Sequence, residues 1–150
     1  MELSPPYVQI EMGYLVPKDS SISTITEIDQ PGIRIALQEK GGADTLLTPT
    51  LKRATLVRRS TIAEAVEALR SGNADAMAAI KTYLFPTSLR LSGSRVLDGR
   101  IAVEGIAIGV PKGNVPSAAY VRRFIEQVKT EGFVKAAVEK AGIRGLETAL

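Results

Sequence analysis

Apolar positions along the chain repeat with two different periods, and the changes between them mark the elements. Tyr7 to Val16 alternates apolar and polar residues, the period of a strand with one face buried. Ile33, Ile35, Ala36 and Leu37 form a short apolar run that predicts a buried strand. Ala54 to Val57, Asp75 to Ala79, Val96–Leu97 and Ile101 to Val110 read the same way. Between them the period lengthens. Ile62, Val66 and Leu69 lie at i, i+4 and i+7, one face of a helix, and Thr61 with Glu64 forms a capping box at its start. Tyr83 to Leu89 reads as a helical turn interrupted by Pro86. Two helices close the chain, from about Pro116 to Glu131 and from Phe133 to Ala141, the second stopped by Gly142. Strands alternating with helices argue for an α/β fold with a mostly parallel sheet flanked by helices.

The punctuation sharpens one stretch. Asp29-Gln30-Pro31-Gly32 is a turn into the strand at Ile33, and a short helix is expected around Ile25 to Ile28. After Leu37 the strand breaks at Gly41-Gly42, and a helix over 43–52 begins at Ala43 or Asp44. Strand, glycine turn and helix start together present unpaired backbone N–H groups, and the helix dipole there favours a negative group. Glycine serves the same place in many βα turns for steric reasons alone. Asp44 has two readings as well, a ligand contact or a helix-start carboxylate that satisfies N–H groups.

Composition narrows the chemistry. The chain of 150 residues is 45% apolar and 23% charged, enough to bury the core of an ordinary domain. It has no cysteine and no histidine, which removes thiol nucleophiles, histidine triads and the usual zinc sites. No cofactor or metal is implied, and any catalysis would fall to carboxylates, lysines and hydroxyls. The net charge is +3 and the pI near 9.3, but the basic residues are scattered and not interleaved with aromatics, so nucleic acid is not an expected partner. No run approaches a membrane span. MELSPPYVQI has none of the parts of a signal peptide, so a genuine start at Met1 would imply a cytoplasmic protein.

The order of the motifs carries a resemblance. GNADAM after a capped helix, then SRVLDGR, EGIAIGVPKGN and a helix with RRFIEQVKTEG, resembles the family 3 extracellular solute-binding proteins. These are type II periplasmic binding proteins that serve ABC transporters for amino acids and similar small polar solutes. SPPYVQIEMGYLVPKDSSI looks like the family's hinge strand, and GIRIALQEKGGADTLL like the strand and ligand-facing turn of its second lobe. The resemblance implies a hinge-strand lead-in at 1–11, an α/β second lobe at 12–110 and returning C-terminal helices at 111–150, without most of the N-terminal lobe. It implies a periplasmic, non-catalytic receptor whose partners are a small polar solute (amino-acid-like or an organic anion) and the transporter's membrane subunits. A stand-alone sensor domain is the alternative, though no DNA-binding segment accompanies it. A dehydratase on the same scaffold, with Glu39 and Asp44 as its acid–base pair, is a further one.

Carried over residue by residue, the ligand-facing turn comprises Gln38, Glu39, Gly41, Gly42 and Asp44. After the strand that matches DAMAA, where the resemblance places an acid for a ligand ammonium, this chain has Ala79, Ile80 and Lys81. Lys81 is then either a solvated lysine or a contact for an anionic ligand. Asp75 is expected to tie down a neighbouring turn. Val121, Phe124, Ile125, Val128, Phe133, Val134 and Val138 give the last two helices an apolar face, and an apolar face of that size is expected to be covered. A homodimer or helix-swapped oligomer through 116–141 would cover it.

Overall fold

Alternation along the central strands sorts their side chains onto the two faces of a sheet. A computed structural model, which describes residues 1–150, shows where each set goes. The chain forms two compact units: Glu11–Ala102, and Met1–Ile10 together with Val103–Leu150. Residues 103–110 therefore group with the C-terminal helices.

The unit 11–102 is built on β2 (Val8–Val16, which enters it at Glu11), β3 (Arg34–Gln38), β4 (Thr55–Arg59), β5 (Ala76–Ile80) and β6 (Arg95–Val96), in spatial order β4-β3-β5-β2-β6. β3 is parallel to β4 and β5, with Ile35 opposite Leu56 and Ala76, while β2 runs antiparallel to β5 with Met12 opposite Ile80. The sheet is mixed, parallel at its centre. Met12, Tyr14, Val16, Ile35, Leu37, Ala76 and Ala78 point to one face and pack with Ala43 and Leu47 of α1 (Gly42–Thr50). Leu15, Ala36, Met77 and Ala79 point to the other, against Ala65, Ala68 and Leu69 of α2 (Ile62–Arg70) and Leu84 of α3 (Lys81–Arg90). Two hydrophobic layers thus lie on opposite sides of one sheet.

Several local expectations hold. Thr61 Oγ1 accepts the Glu64 N–H at 3.2 Å, and the Glu64 carboxylate accepts the N–H groups of Ser60 and Thr61, closing the capping box. A single 3-10 turn spans Ile25–Glu27. Asp75 Oδ2 accepts the Arg34 N–H and Nε–H, and Asp75 Oδ1 accepts from Arg34 Nη2, which ties the starts of β3 and β5 together.

Others need correction. α3 is continuous through Pro86, which costs it one i→i−4 bond without ending it, and it begins at Lys81. α1 ends at Thr50, two residues before the expected limit. In α2 the fully buried stripe is Ala65, Ala68 and Leu69, because the small alanines let the helix sit close to the sheet; Ile62 and Val66 flank it, half-buried. The single strand expected over 101–110 is two, β7 (Ala102–Ile106) and β8 (Gly109–Val110), separated at Ala107–Ile108.

In the second unit β8 pairs antiparallel with β1 (Glu2–Leu3), and β9 (Leu146–Thr148) pairs antiparallel with Val8–Ile10 of β2. α4 (Val115–Thr130) and α5 (Phe133–Ala141) carry its apolar side chains. Ile125 and Val134 are buried, Val121, Val128 and Val138 half-buried, but Phe124 is 45% exposed and Phe133 68%. Tyr120 stacks on Phe124 with ring centroids 6.4 Å apart. No helix is long and apolar enough to cross a membrane.

Candidate ligand-binding edge

Because β3, β4 and β5 are parallel and each leads into a helix, the starts of α1, α2 and α3 all lie at the carboxyl edge of the sheet. This is where an open α/β sheet offers backbone N–H groups to a ligand. The three starts differ. α2 is closed by its own capping box. α1 has Gly41 as its N-cap and α3 has Ile80, and neither supplies a capping side chain. Those two helix starts keep their first N–H groups for solvent or ligand.

The turn from Gln38 to Asp44 is held rigidly. Gly41 N–H donates to Gln38 O at 3.2 Å, Glu39 N–H donates to Arg59 O at 2.8 Å, and Gly41 O accepts both the N–H and the hydroxyl of Thr45. Lys40 sits at φ +59°, in the left-handed region where a residue with a side chain is strained by about 1–2 kcal/mol. Asp44 holds it there: its Oδ2 accepts the Lys40 N–H at 2.9 Å. Asp44 Oδ1 accepts from the Thr48 hydroxyl and from Arg58 Nε, each at 2.9 Å. The Lys40 N–H, the Thr48 hydroxyl and Arg58 hold the buried carboxyl below its ordinary value. Asp44 is the brace of the turn. Gln38 and Glu39 are exposed, and the Glu39 side chain is bound to no neighbour.

At the neighbouring strand end the structure supplies a feature that sequence reasoning did not name. Lys81, the first residue of α3, is buried, and its Nζ reaches Glu11 Oε2 at 2.8 Å. Arg100 Nη1 lies 3.4 Å from Glu11 Oε1. The Lys81 side chain is 9% exposed and that of Glu11 17%. The hydrogen bond from Lys81, then the charges of Lys81 and Arg100, hold the Glu11 carboxyl below its usual value against the opposing effect of burial. Of the two sequence readings of Lys81, the solvated lysine does not match this geometry. Glu11 is not among the residues that the sequence singles out, and its partner lies seventy positions away. Ile80 closes β5 beside Lys81 with a half-buried apolar side chain.

The chain thus brings the two sets of sequence-derived candidates, 38–44 and 80–81, to one edge. No group of acids suited to holding a metal ion is present.

The fold is that of the periplasmic-binding-protein-like II receptors. A solved solute receptor for L-cysteine of Neisseria gonorrhoeae is similar, with a TM-score of 0.79 and 24% identity, over 99% of this chain and 63% of that one. So is an ancestral amino-acid-binding protein that is a precursor of cyclohexadienyl dehydratase, with a TM-score of 0.74 and 24% identity over 93% of this chain and 60% of its own. The substrate-binding protein of an amino-acid ABC transporter matches at a TM-score of 0.74 and 22% identity, over 93% and 62%. The chain spans a little under two thirds of the length of each of these three. No protein-family model matches it, and no curated protein does.

Proposed function

We propose that this chain is the solute-binding part of an ABC-transporter receptor for amino-acid-like solutes, binding without catalysis. The observation that carries the reading is the carboxyl edge of the unit 11–102, on a fold shared with amino-acid receptors. Two uncapped helix starts, at Gly42 and Lys81, offer N–H groups to a ligand carboxylate. Glu39, exposed in the turn that leads into the first of these starts, is the carboxylate available there for a ligand ammonium. Ligand binding of this kind signals by favouring one conformation over another, and the partner that reads it would be the transporter's membrane subunits on the periplasmic side.

The dehydratase alternative fares worse. Its acid–base pair was Glu39 with Asp44, but Asp44 is committed to Lys40, Thr48 and Arg58 and is held ionised. A general acid near neutral pH needs its carboxyl raised.

Thermal unfolding of the purified protein against the amino acids tests the proposal. A solute at one hundred times its Kd adds about 2.7 kcal/mol, which raises Tm by roughly 5 °C in a domain of this size. A rise of that order with at least one amino acid is expected. A cooperative transition that no amino acid moves at millimolar concentration would contradict it.

A further inference from the structure

We propose that Asp98 is a site of spontaneous covalent modification, where the folded chain converts to isoaspartate through a succinimide formed with Gly99. This reactivity does not depend on the binding role proposed above.

The reaction needs a free carboxyl followed by an unhindered backbone nitrogen. Asp98 is the only aspartate or asparagine of the chain with glycine after it. A glycine has no Cβ to obstruct the approach of its nitrogen to the preceding side chain. The fold leaves both groups unengaged. Asp98 and Gly99 are exposed and lie between β6 and β7, in neither strand. The Asp98 carboxyl accepts no hydrogen bond and pairs with no cation, and the Gly99 N–H donates to no acceptor. The other aspartates and asparagines are held. Asp29 accepts the N–H groups of Lys52, Arg53 and Ala54, Asp44 braces its turn and Asp75 binds Arg34. Asn114 accepts the Ser117 N–H as the cap of α4, and Asn73 donates to the Ser71 hydroxyl. Asp19 is exposed, but Ser20 follows it, with a Cβ in the way and an N–H already donated to Pro17 O at 3.2 Å.

In the first step the Gly99 nitrogen attacks Asp98 Cγ. The new N–Cγ bond closes the succinimide ring, and the hydroxyl of the protonated carboxyl leaves with the amide proton as water. Water then opens the ring. Attack at Cγ restores aspartate. Attack at the main-chain carbonyl breaks its bond to nitrogen and leaves the backbone running through Cβ and Cγ, with the α-carboxylate as the side group. The water lost is regained, so the mass is unchanged, but the backbone gains one carbon, about 1.5 Å of chain. That carbon enters a segment fastened at both ends to β2. Leu97 N–H donates to Tyr14 O and Ile101 N–H to Met12 O, each at 2.9 Å. The modification therefore acts on the pairing of the strand on which the unit 11–102 is built.

Peptide mapping of the folded protein, after weeks at physiological temperature and pH, tests this. Trypsin cuts after Arg95 and Arg100 and so releases the peptide 96–100. Electron-transfer fragmentation tells its two isomers of equal mass apart. Isoaspartate is expected at position 98, and at no other aspartate or asparagine to a comparable extent. Asp98→Asn closes the same ring by losing ammonia instead of water, and should reach isoaspartate several-fold sooner. Asp98→Glu has one methylene more, which disfavours ring closure, and should leave the peptide intact. A synthetic peptide of residues 96–100 is the unfolded reference. If it isomerises while position 98 of the folded protein stays intact, the fold protects the bond and the proposal is overturned. Isoaspartate accumulating first at Asp19 or Asn73 would overturn it equally.

Discussion

Replacing Leu37 by alanine is expected to destabilise the protein by about 3 kcal/mol, within the 2–5 kcal/mol range of buried leucine truncations. Leu37 is fully buried near the carboxyl end of β3, with Ile35, Leu47 and Ala78 in the same hydrophobic layer. It stands between the two strands parallel to β3, where neither the sheet nor α1 can move in to fill the space without breaking register. The residue after it opens the turn 38–44, so the cavity would also loosen the support of Lys40 and Asp44. Denaturant titration followed by circular dichroism measures the effect. A midpoint change equivalent to less than about 1 kcal/mol would mean the core tolerates collapse at this site, and β3 would not be the rigid platform described above.

The second large effect is expected at Glu11. Glu11→Ala leaves the Lys81 ammonium buried without its closest partner, a cost of about 2 kcal/mol. This lies below the usual range for a broken buried pair because a lysine arm can swing toward water. The pH dependence carries the sign. The carboxyl of Glu11 is held below its ordinary value of 4.5 in the folded chain. Its contribution is therefore fully present above the unfolded value and is lost as pH falls through the folded one. The stability difference between the protein and Glu11→Ala should be constant from pH 6 to 8 and shrink below about pH 4.5. Asp44 and Asp75 are lowered by partners of their own, so the parent protein will lose stability in acid by more than the share of Glu11. A difference that grows in acid would contradict the pairing.

Much of the central unit can be read from its pattern, and the reason is local. Alternation in Tyr7–Val16 and the apolar run at Ile33–Leu37 report burial on a sheet, and Thr61 with Glu64 reports a helix start whose geometry needs only neighbours in sequence. The turn at Gly41-Gly42 is visible for the same reason. What eluded sequence reasoning depends on distant partners. Lys81 gives no local sign that it begins a helix, since Ile80 before it cannot cap and Pro86 within the helix reads as a breaker. Its burial comes from Glu11 and from the open space over Gly13, both about seventy positions earlier. β1 and β9 are short strands defined only by their partners β8 and β2. The division at 102–103 falls inside the stretch 101–110, which in sequence reads as a single strand.

For the candidate edge the lesson is similar. Residues 38–44 were visible as a site because strand, glycine turn and helix start are contiguous. That Asp44 is spent on bracing the turn required knowing that Arg58, at the end of the next strand, returns to it. The resemblance in motif order pointed to the solute-binding fold, and the solved amino-acid receptors match that fold over nearly all of this chain.

The most direct test of the account is a map of backbone amide shifts by two-dimensional NMR as an amino acid is added. The account predicts shifts concentrated at Gln38–Asp44 and at Ile80–Tyr83, the starts of α1 and α3, with the amide of Gly42 among the most displaced. Shifts confined to other surfaces, with those two segments unmoved by a solute that binds, would contradict it.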